Sequence, residues 1–117
     1  IASRYDEAFA ALGGLAVVSP PSGCVSAYHQ YVICAERRDC LRAILAQSNI
    51  ETGIHYPRLI PDQEPLVLRQ FDRYAIPVAR SVSPRLLSIP CHSELGDEQI
   101  DRIIEAVIAF SEHPDSS

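Results

Sequence analysis

Residues 26–57 read SAYHQYVICAERRDCLRAILAQSNIETGIHYP, and this stretch decides the fold class. Ser26 to Cys34 is rich in aromatic and β-branched residues and contains no helix breaker, which predicts a strand. Glu36 to Ser48 carries apolar side chains at helical spacing, and Asn49 can take the left-handed conformation that closes a helix. Glu51 to Tyr56 is too short for a helix, so we predict a second strand that runs into a turn at proline.

The residues before this stretch predict one helix and an irregular connection. Arg4 to Leu12 has apolar side chains at helical spacing, and Gly13 and Gly14 follow as a helix stop. The segment AVVSPPSGCVS, residues 16–26, contains two prolines and a glycine, which interrupt both helices and strand ladders. We therefore expect an irregular extended connection there.

The residues after this stretch predict a long loop followed by regular structure. The prolines at 57, 61, 65 and 77 predict a long loop from Arg58 to Pro77, in which a short helix from about Leu66 to Tyr74 is possible. Loops often carry functional sites. Val78 to Val82 has the pattern of one helical turn, and Pro84 to His92 that of a third strand. Asp97 to Phe110 has one continuous apolar face and two acidic residues in its first turn, as expected of a closing helix. The tail EHPDSS, residues 112–117, is expected to be frayed.

This order of elements predicts an α+β fold. We expect a small, mostly antiparallel sheet of about three strands, with helices packed on one face. A chain of 117 residues suits one domain, so we expect residues 1–117 to form a single domain.

Composition and charge exclude several classes of function. The net charge is −5, and the ten basic residues are all arginine and are scattered, which argues against a nucleic-acid partner. No apolar run approaches the roughly 20 residues that cross a bilayer, and the first residues have no signal-peptide pattern. We therefore expect a soluble, cytoplasmic protein.

The four cysteines are Cys24, Cys34, Cys40 and Cys91. They could form disulfides or hold a metal, but none stands in a C-x-x-C arrangement and their neighbours resemble core sequence. We therefore predict buried free thiols and no metal site.

The pentapeptide GIHYP, residues 53–57, is the main candidate for a functional site. His55 and Tyr56 each offer a hydrogen-bond donor and an acceptor on a flat ring, which suits a catalytic pair, a ligand-binding lip or plain packing. Arg58 is the basic residue best placed to meet a phosphate, although a surface arginine is the commoner outcome. His29 is expected to be a buried, hydrogen-bonded core residue, and His92 to lie at a strand end.

The succession YHQYVI, RRDCLRAILAQSNIETGIHYP and ARSVSPRLLSIPCHSELGDEQIDRIIEAVIAF resembles the C-terminal domain of the DegT/DnrJ/StrS family of sugar-nucleotide aminotransferases. These are pyridoxal-phosphate enzymes of the type I aminotransferase fold. The resemblance covers nearly the whole chain, up to Phe110. Two positions depart from the family pattern: Asn49 stands where a glycine is common, and Asp62 where a histidine is frequent.

The resemblance implies a function that this chain does not complete alone. The family holds pyridoxal phosphate as a Schiff base with a lysine of a large N-terminal domain, and this chain contains no lysine. We therefore expect no catalytic and no cofactor-binding residue here, and no activity of the chain alone. In the family the turn lies at the mouth of the active site, so His55, Tyr56 and Arg58 are the expected substrate-binding residues.

Two hypotheses follow. The chain is the C-terminal domain or a fragment of an aminotransferase that acts on a keto-sugar nucleotide, or it is a free-standing, non-catalytic module that binds a sugar nucleotide or a protein. The start at Ile1 rather than methionine favours the first. Its expected partners are the missing cofactor-binding domain, the sugar nucleotide and a second copy of the chain, through a face near Val17, Val18, Val25, Tyr28 and Tyr31.

Overall fold

The computed structural model describes residues 1–64 and 76–112. Three strands and four helices make up its regular structure, apart from short 3₁₀ turns. In chain order these are α1 (Ala2–Phe9), β1 (Leu15–Val17), β2 (Tyr31–Ala35), α2 (Arg38–Gln47), α3 (Pro77–Val82), β3 (Leu86–Ile89) and α4 (Asp97–Glu112).

The strands form one antiparallel sheet in the order β1-β2-β3. Val17 is paired with Ile33 across the first ladder, and Ile33 with Leu87 across the second. The prediction of an α+β fold with a small antiparallel sheet of three strands is confirmed.

The core lies between the sheet and α1, α2 and α4. Alternate residues of β2 are buried, as expected of a strand with one face on the core. Each of the three helices adds an apolar stripe to the same cluster. Its buried members are Tyr5, Phe9, Tyr31, Ile33, Ala35, Leu41, Leu45, Ile50, Leu87, Ile89, Ile100, Ile103, Val107 and Phe110.

Two buried tyrosines tie α1 to the sheet. The hydroxyl of Tyr5 donates a hydrogen bond to the carbonyl oxygen of Pro90 at 2.9 Å, directly after β3. The hydroxyl of Tyr31 donates to Oδ1 of Asp6 at 2.6 Å. Burial raises the pKa of Tyr5 to about 12, and burial together with the Asp6 carboxylate raises the pKa of Tyr31 as well. Both phenols are therefore held in the neutral form, and the chain after β3 is fixed in place.

The prediction missed β1. The helix expected over Arg4 to Leu12 ends at Phe9, and Leu15–Val17 forms a strand where we expected an irregular connection. A strand of three residues has too short a pattern to be read from sequence, and its partner lies well along the chain in β2. Residues 18–30 do lack regular structure, as their prolines indicate.

The central strand and helix are shorter than predicted. β2 begins at Tyr31 rather than Ser26, because Tyr28 has a φ of 46°, which is incompatible with an extended strand. The helix α2 covers Arg38–Gln47, within the predicted Glu36 to Ser48. Asn49 has a φ of 54°, so the prediction that it closes this helix in the left-handed region is confirmed.

The prediction of a second strand over Glu51 to Tyr56 was wrong. Only Gly53 pairs there, in a single antiparallel bridge to Ser88. The helical turn, the third strand and the closing helix are confirmed as α3, β3 and α4, with β3 shorter than the predicted Pro84 to His92. The possible helix from Leu66 to Tyr74 and the frayed tail fall on residues outside the described ranges, save Glu112, which belongs to α4.

The exposed apolar side chains differ from those expected. Tyr31, which we placed on an exposed face, is 1% exposed and belongs to the core, whereas Val18 and Val25 are 53% and 97% exposed. A second exposed group consists of Tyr56, Ile60 and Val78. Within residues 1–64 and 76–112, no helix is long and apolar enough to cross a membrane.

Candidate functional site

The turn at residues 55–58 is anchored to the sheet through Gly53. The amide of Gly53 donates to the carbonyl oxygen of Ser88 at 2.9 Å, and the amide of Ser88 donates to the carbonyl oxygen of Gly53 at 2.8 Å. The peptide bond between His55 and Tyr56 is cis. This bridge holds the segment at the free edge of β3, and the side chain of Ser88 lies on the face of that strand opposite Leu87 and Ile89.

The imidazole of His55 is held by two contacts. Its Nδ1 lies 3.0 Å from Oγ of Ser88, which is a hydrogen bond. Its Cε1 edge packs against Gly53. The approach is so close that a Cβ atom added to Gly53 would lie 2.4 Å from Cε1. The residue as a whole is nevertheless exposed, so the ring is fixed at one edge and accessible at the other.

Tyr56 projects from the turn. Its ring is perpendicular to that of His55, at an interplanar angle of 89° and a centroid distance of 5.7 Å. The residue is 75% exposed, which is unusual for a tyrosine that only packs. The phenol is therefore placed to contact another molecule or another polypeptide segment.

His55 lines two cavities. One, of about 230 Å³, is lined by Tyr56 and Arg58 of the turn, by Leu59 and Ile60 directly after it, and by Ala79 and Val82 of α3. The other, of about 560 Å³, lies at the end of β3 against α4 and is within the range of small-molecule sites. A ligand in either cavity would meet the imidazole.

The larger cavity combines an apolar floor with a polar rim. Ile50, Ile89 and Ile103 contribute apolar surface from three elements or their ends. The rim is formed by His29, His55, His92, Asn49, Glu51, Thr52, Gln99 and Arg102. Such a rim offers both donors and acceptors, which suits hydroxyl, phosphoryl or base groups of a ligand.

The histidines outside the turn lie on this rim. His29, which we expected in the core, is exposed and lines the larger cavity, because the backbone turns at Tyr28 before β2 begins. His92 is also exposed and lines the same cavity, in line with its predicted position after a strand. Sequence spacing gave no sign that these two residues share a cavity with His55.

Arg58 is exposed and contributes to the 230 Å³ cavity and to a neighbouring one of about 340 Å³. Beside it, Arg80 donates two hydrogen bonds to the carboxylate of Asp62, at 2.7 and 2.8 Å. This bidentate pair holds the pKa of Asp62 below its ordinary value. Asp62, one of the two departures from the expected pattern, therefore links the loop to α3.

The cysteines are only partly as expected. All four are free thiols, but Cys24 and Cys40 are exposed and the other two are half-buried, so the prediction that all four are buried was wrong. Burial raises the pKa of the Cys91 thiol, which disfavours the reactive thiolate. In the described part of the chain no group of three or more histidine, cysteine, aspartate or glutamate residues could hold a metal ion.

Ser88 is the site residue that sequence reasoning missed. It lies within the run LLSI, which predicted only a strand. Its place in the alternation, between the core residues Leu87 and Ile89, indicates that it faces away from the core. Nothing in the sequence indicates that His55 covers it.

The comparisons with known proteins agree on one group. The DegT/DnrJ/EryC1/StrS aminotransferase family matches residues 1–108. A dTDP-3-amino-3,4,6-trideoxy-alpha-D-glucose transaminase of Streptomyces venezuelae is 30% identical over 119 residues, which cover 100% of this chain and 31% of that protein. A UDP-N-acetyl-3-dehydro-alpha-D-glucosamine 3-aminotransferase of Acidithiobacillus ferrooxidans is 32% identical over 87 residues, 74% of this chain and 23% of that protein.

A solved structure agrees with these relatives. The crystal structure of S. venezuelae DesV in complex with a ketimine intermediate superimposes with a TM-score of 0.89 and 28% identity, and the match covers 95% of this chain and 30% of DesV. The chain therefore spans less than a third of the length of these relatives.

Proposed function

We propose that this chain, which belongs to the DegT/DnrJ/EryC1/StrS aminotransferase family, is the C-terminal domain of an aminotransferase that acts on a keto-sugar nucleotide. The observation that carries the proposal is the family match over residues 1–108, together with the exposed His55, which lines two cavities, and the exposed Tyr56, which lines one of them. Two relatives are named as transaminases of nucleotide sugars, which supports this class of substrate. The domain would act in amino-sugar biosynthesis.

His55, Tyr56 and Arg58 are the proposed substrate-binding residues. The accessible imidazole nitrogen and the phenol can exchange hydrogen bonds with sugar hydroxyls, and both rings offer flat apolar faces to a hexose or a base. The guanidinium of Arg58 can pair with a phosphoryl oxygen. In this proposal the domain shapes the pocket and does not transfer a proton itself.

The residues of this chain do not fit covalent attachment of pyridoxal phosphate. The cofactor of this family takes up and releases the amino group, and a lysine amine is needed to bind it. All ten basic residues here are arginine, whose guanidinium stays protonated and does not attack an aldehyde. In the proposed enzyme the cofactor is therefore bound by the large N-terminal domain.

We further propose that residues 1–117 form one domain and that the main partner of this domain is the cofactor-binding domain. We also propose that the whole enzyme is a cytoplasmic homo-oligomer. The single core cluster supports one domain. Two groups of exposed apolar side chains, Val18 with Val25 and Tyr56 with Ile60 and Val78, are candidate contacts with the rest of the assembly. Free cysteines, two of them exposed, fit a reducing compartment.

The reading frame upstream of the codon for Ile1 tests the proposal. We expect it to encode, in frame, a lysine-bearing cofactor domain. The protein expressed from the whole frame should transfer the amino group of glutamate to a keto-sugar nucleotide. A frame without such a domain would overturn the aminotransferase proposal and favour a non-catalytic binding module.

The pocket residues are tested in that whole protein. His55→Ala, Tyr56→Ala and Arg58→Ala should each raise the KM for the sugar nucleotide by about tenfold, the effect of losing about 1.4 kcal/mol of binding. Arg42→Ala, an exposed arginine on α2, is the control of matched charge. An unchanged KM in all three variants would contradict the proposed pocket.

A further inference from the structure

Apart from the core tyrosines, Ser88 is the only buried residue with a polar side chain in the part of the chain that the structure describes. It is 8% exposed, and both of its backbone hydrogen-bonding groups are used in the bridge to Gly53. Its hydroxyl faces Nδ1 of His55 at 3.0 Å. Among residues 1–64 and 76–112, this nitrogen is the only hydrogen-bond partner of the hydroxyl.

This contact favours one tautomer of the imidazole. If Nδ1 carried the hydrogen, Ser88 would accept it, and its own O–H, on a residue that is 8% exposed, would have no acceptor among residues 1–64 and 76–112. An unsatisfied buried donor is unfavourable, whereas a hydroxyl that donates to an unprotonated Nδ1 is satisfied. The neutral ring then carries its hydrogen on Nε2.

Gly53 fixes the ring in this orientation. A Cβ at this position would come within 3.1 Å of Nδ1 and 3.2 Å of Nε2, in addition to its contact with Cε1. Only glycine therefore lets the Cε1 edge of the ring approach the backbone this closely while Nδ1 reaches Ser88. Nε2 makes no hydrogen bond to the described residues, so it is the nitrogen that a ligand would meet.

We propose that Ser88 is a positioning residue that holds His55 as the Nε2–H tautomer, so that His55 presents a hydrogen-bond donor to a ligand. The group recognised is an oxygen acceptor, such as a hydroxyl or phosphoryl oxygen. The choice of ligand class rests on the function proposed above, whereas the tautomer rests on Ser88 and Gly53 alone. In this role His55 does not act as a base.

Nitrogen NMR of the chain labelled with ¹⁵N-histidine tests the tautomer. Spectra are recorded at alkaline pH, where imidazole is neutral. We expect His55 to show an unprotonated Nδ1 and a protonated Nε2. This tautomer bias, the excess of the Nε2–H form over the Nδ1–H form, should be larger in His55 than in His29, an exposed histidine that serves as the internal reference for an unconstrained ring. A protonated Nδ1 in His55, or a bias equal to that of His29, would overturn the proposal.

Variants separate positioning from packing. Ser88→Ala should move the nitrogen shifts of His55 to those of His29, and Ser88→Thr, which keeps a hydroxyl, should restore the bias. If Ser88→Ala does not fold, Gly53→Ala serves instead, because it displaces the ring and leaves the hydroxyl in place. A bias that survives in the variant that folds would refute the role of Ser88.

Addition of a dTDP-sugar or a UDP-sugar to the whole protein distinguishes the two proposals. If the tautomer bias is present and the Nε2 resonance of His55 moves on addition of the ligand, both proposals are supported. If the bias is present but Nε2 does not move, the tautomer assignment stands and the proposed pocket fails.

Discussion

Gly53→Ala is the substitution whose effect follows most directly from the geometry. The new Cβ would lie 2.4 Å from Cε1 of His55, closer than real Cβ contacts. Gly53 does not have a positive φ, so alanine is compatible with the backbone, and the conflict is with the imidazole alone. Since His55 is exposed, the ring can swing into solvent and the backbone need not move.

The cost is then the loss of the His55 contact to Ser88. Leaving the buried hydroxyl without its partner costs about 1–3 kcal/mol. Replacing glycine by alanine reduces the entropy of the unfolded chain, which stabilises the folded state by about 0.4–1 kcal/mol. The middle of these ranges gives a net destabilisation of about 1.3 kcal/mol, at most about 2.6 kcal/mol, and we expect a Tm lower by about 3–8 °C for a domain of this size.

Thermal and urea unfolding, followed by circular dichroism, measure this effect. Gly13→Ala is the matched control, because a Cβ at Gly13 would meet no atom within 4 Å. It should leave the stability unchanged or raise it. The decisive variant is Gly53→Ala in a His55→Ala background, where the obstructing ring is absent and the substitution should no longer destabilise. An equal cost of Gly53→Ala in both backgrounds would refute the reasoning.

Three further predictions concern ionisation and the cofactor. The contribution of the raised Tyr5 pKa to the free energy of unfolding should be fully present below pH 10 and should be lost as the pH rises from 10 to about 12. Urea unfolding across this range measures the loss, which should be absent in Tyr5→Phe. The lowered pKa of Asp62 should give a stability advantage over Asp62→Asn above pH 3.8 that disappears as the pH falls further, and equal pH profiles of the two proteins would contradict the pairing with Arg80. When the amine of Ile1 is blocked and the chain is treated with pyridoxal phosphate and borohydride, no side chain should carry a pyridoxyl group, because no lysine is present. A modified side chain detected by mass spectrometry would contradict this prediction.

The sequence by itself determined the elements that depend on local patterns. The continuous apolar face of residues 97–110 predicted α4, and its acidic first turn placed the start correctly at Asp97. Asn49 closes α2 because asparagine tolerates the left-handed region, a property of the residue itself. The ordered motifs also sufficed for the resemblance to the aminotransferase family, which the match over residues 1–108 bears out.

The tertiary structure decided what depends on partners distant in the chain. Leu15–Val17 is a strand only because β2 lies beside it, and the second predicted strand is reduced to one bridge, between Gly53 and Ser88. The same holds for the site: His29 and Ser88 are far from His55 in sequence, yet the fold places one on the rim of the same cavity and the other beneath the imidazole. Side-chain periodicity reports which face of an element is buried, but it carries no information on which residues from different elements meet there.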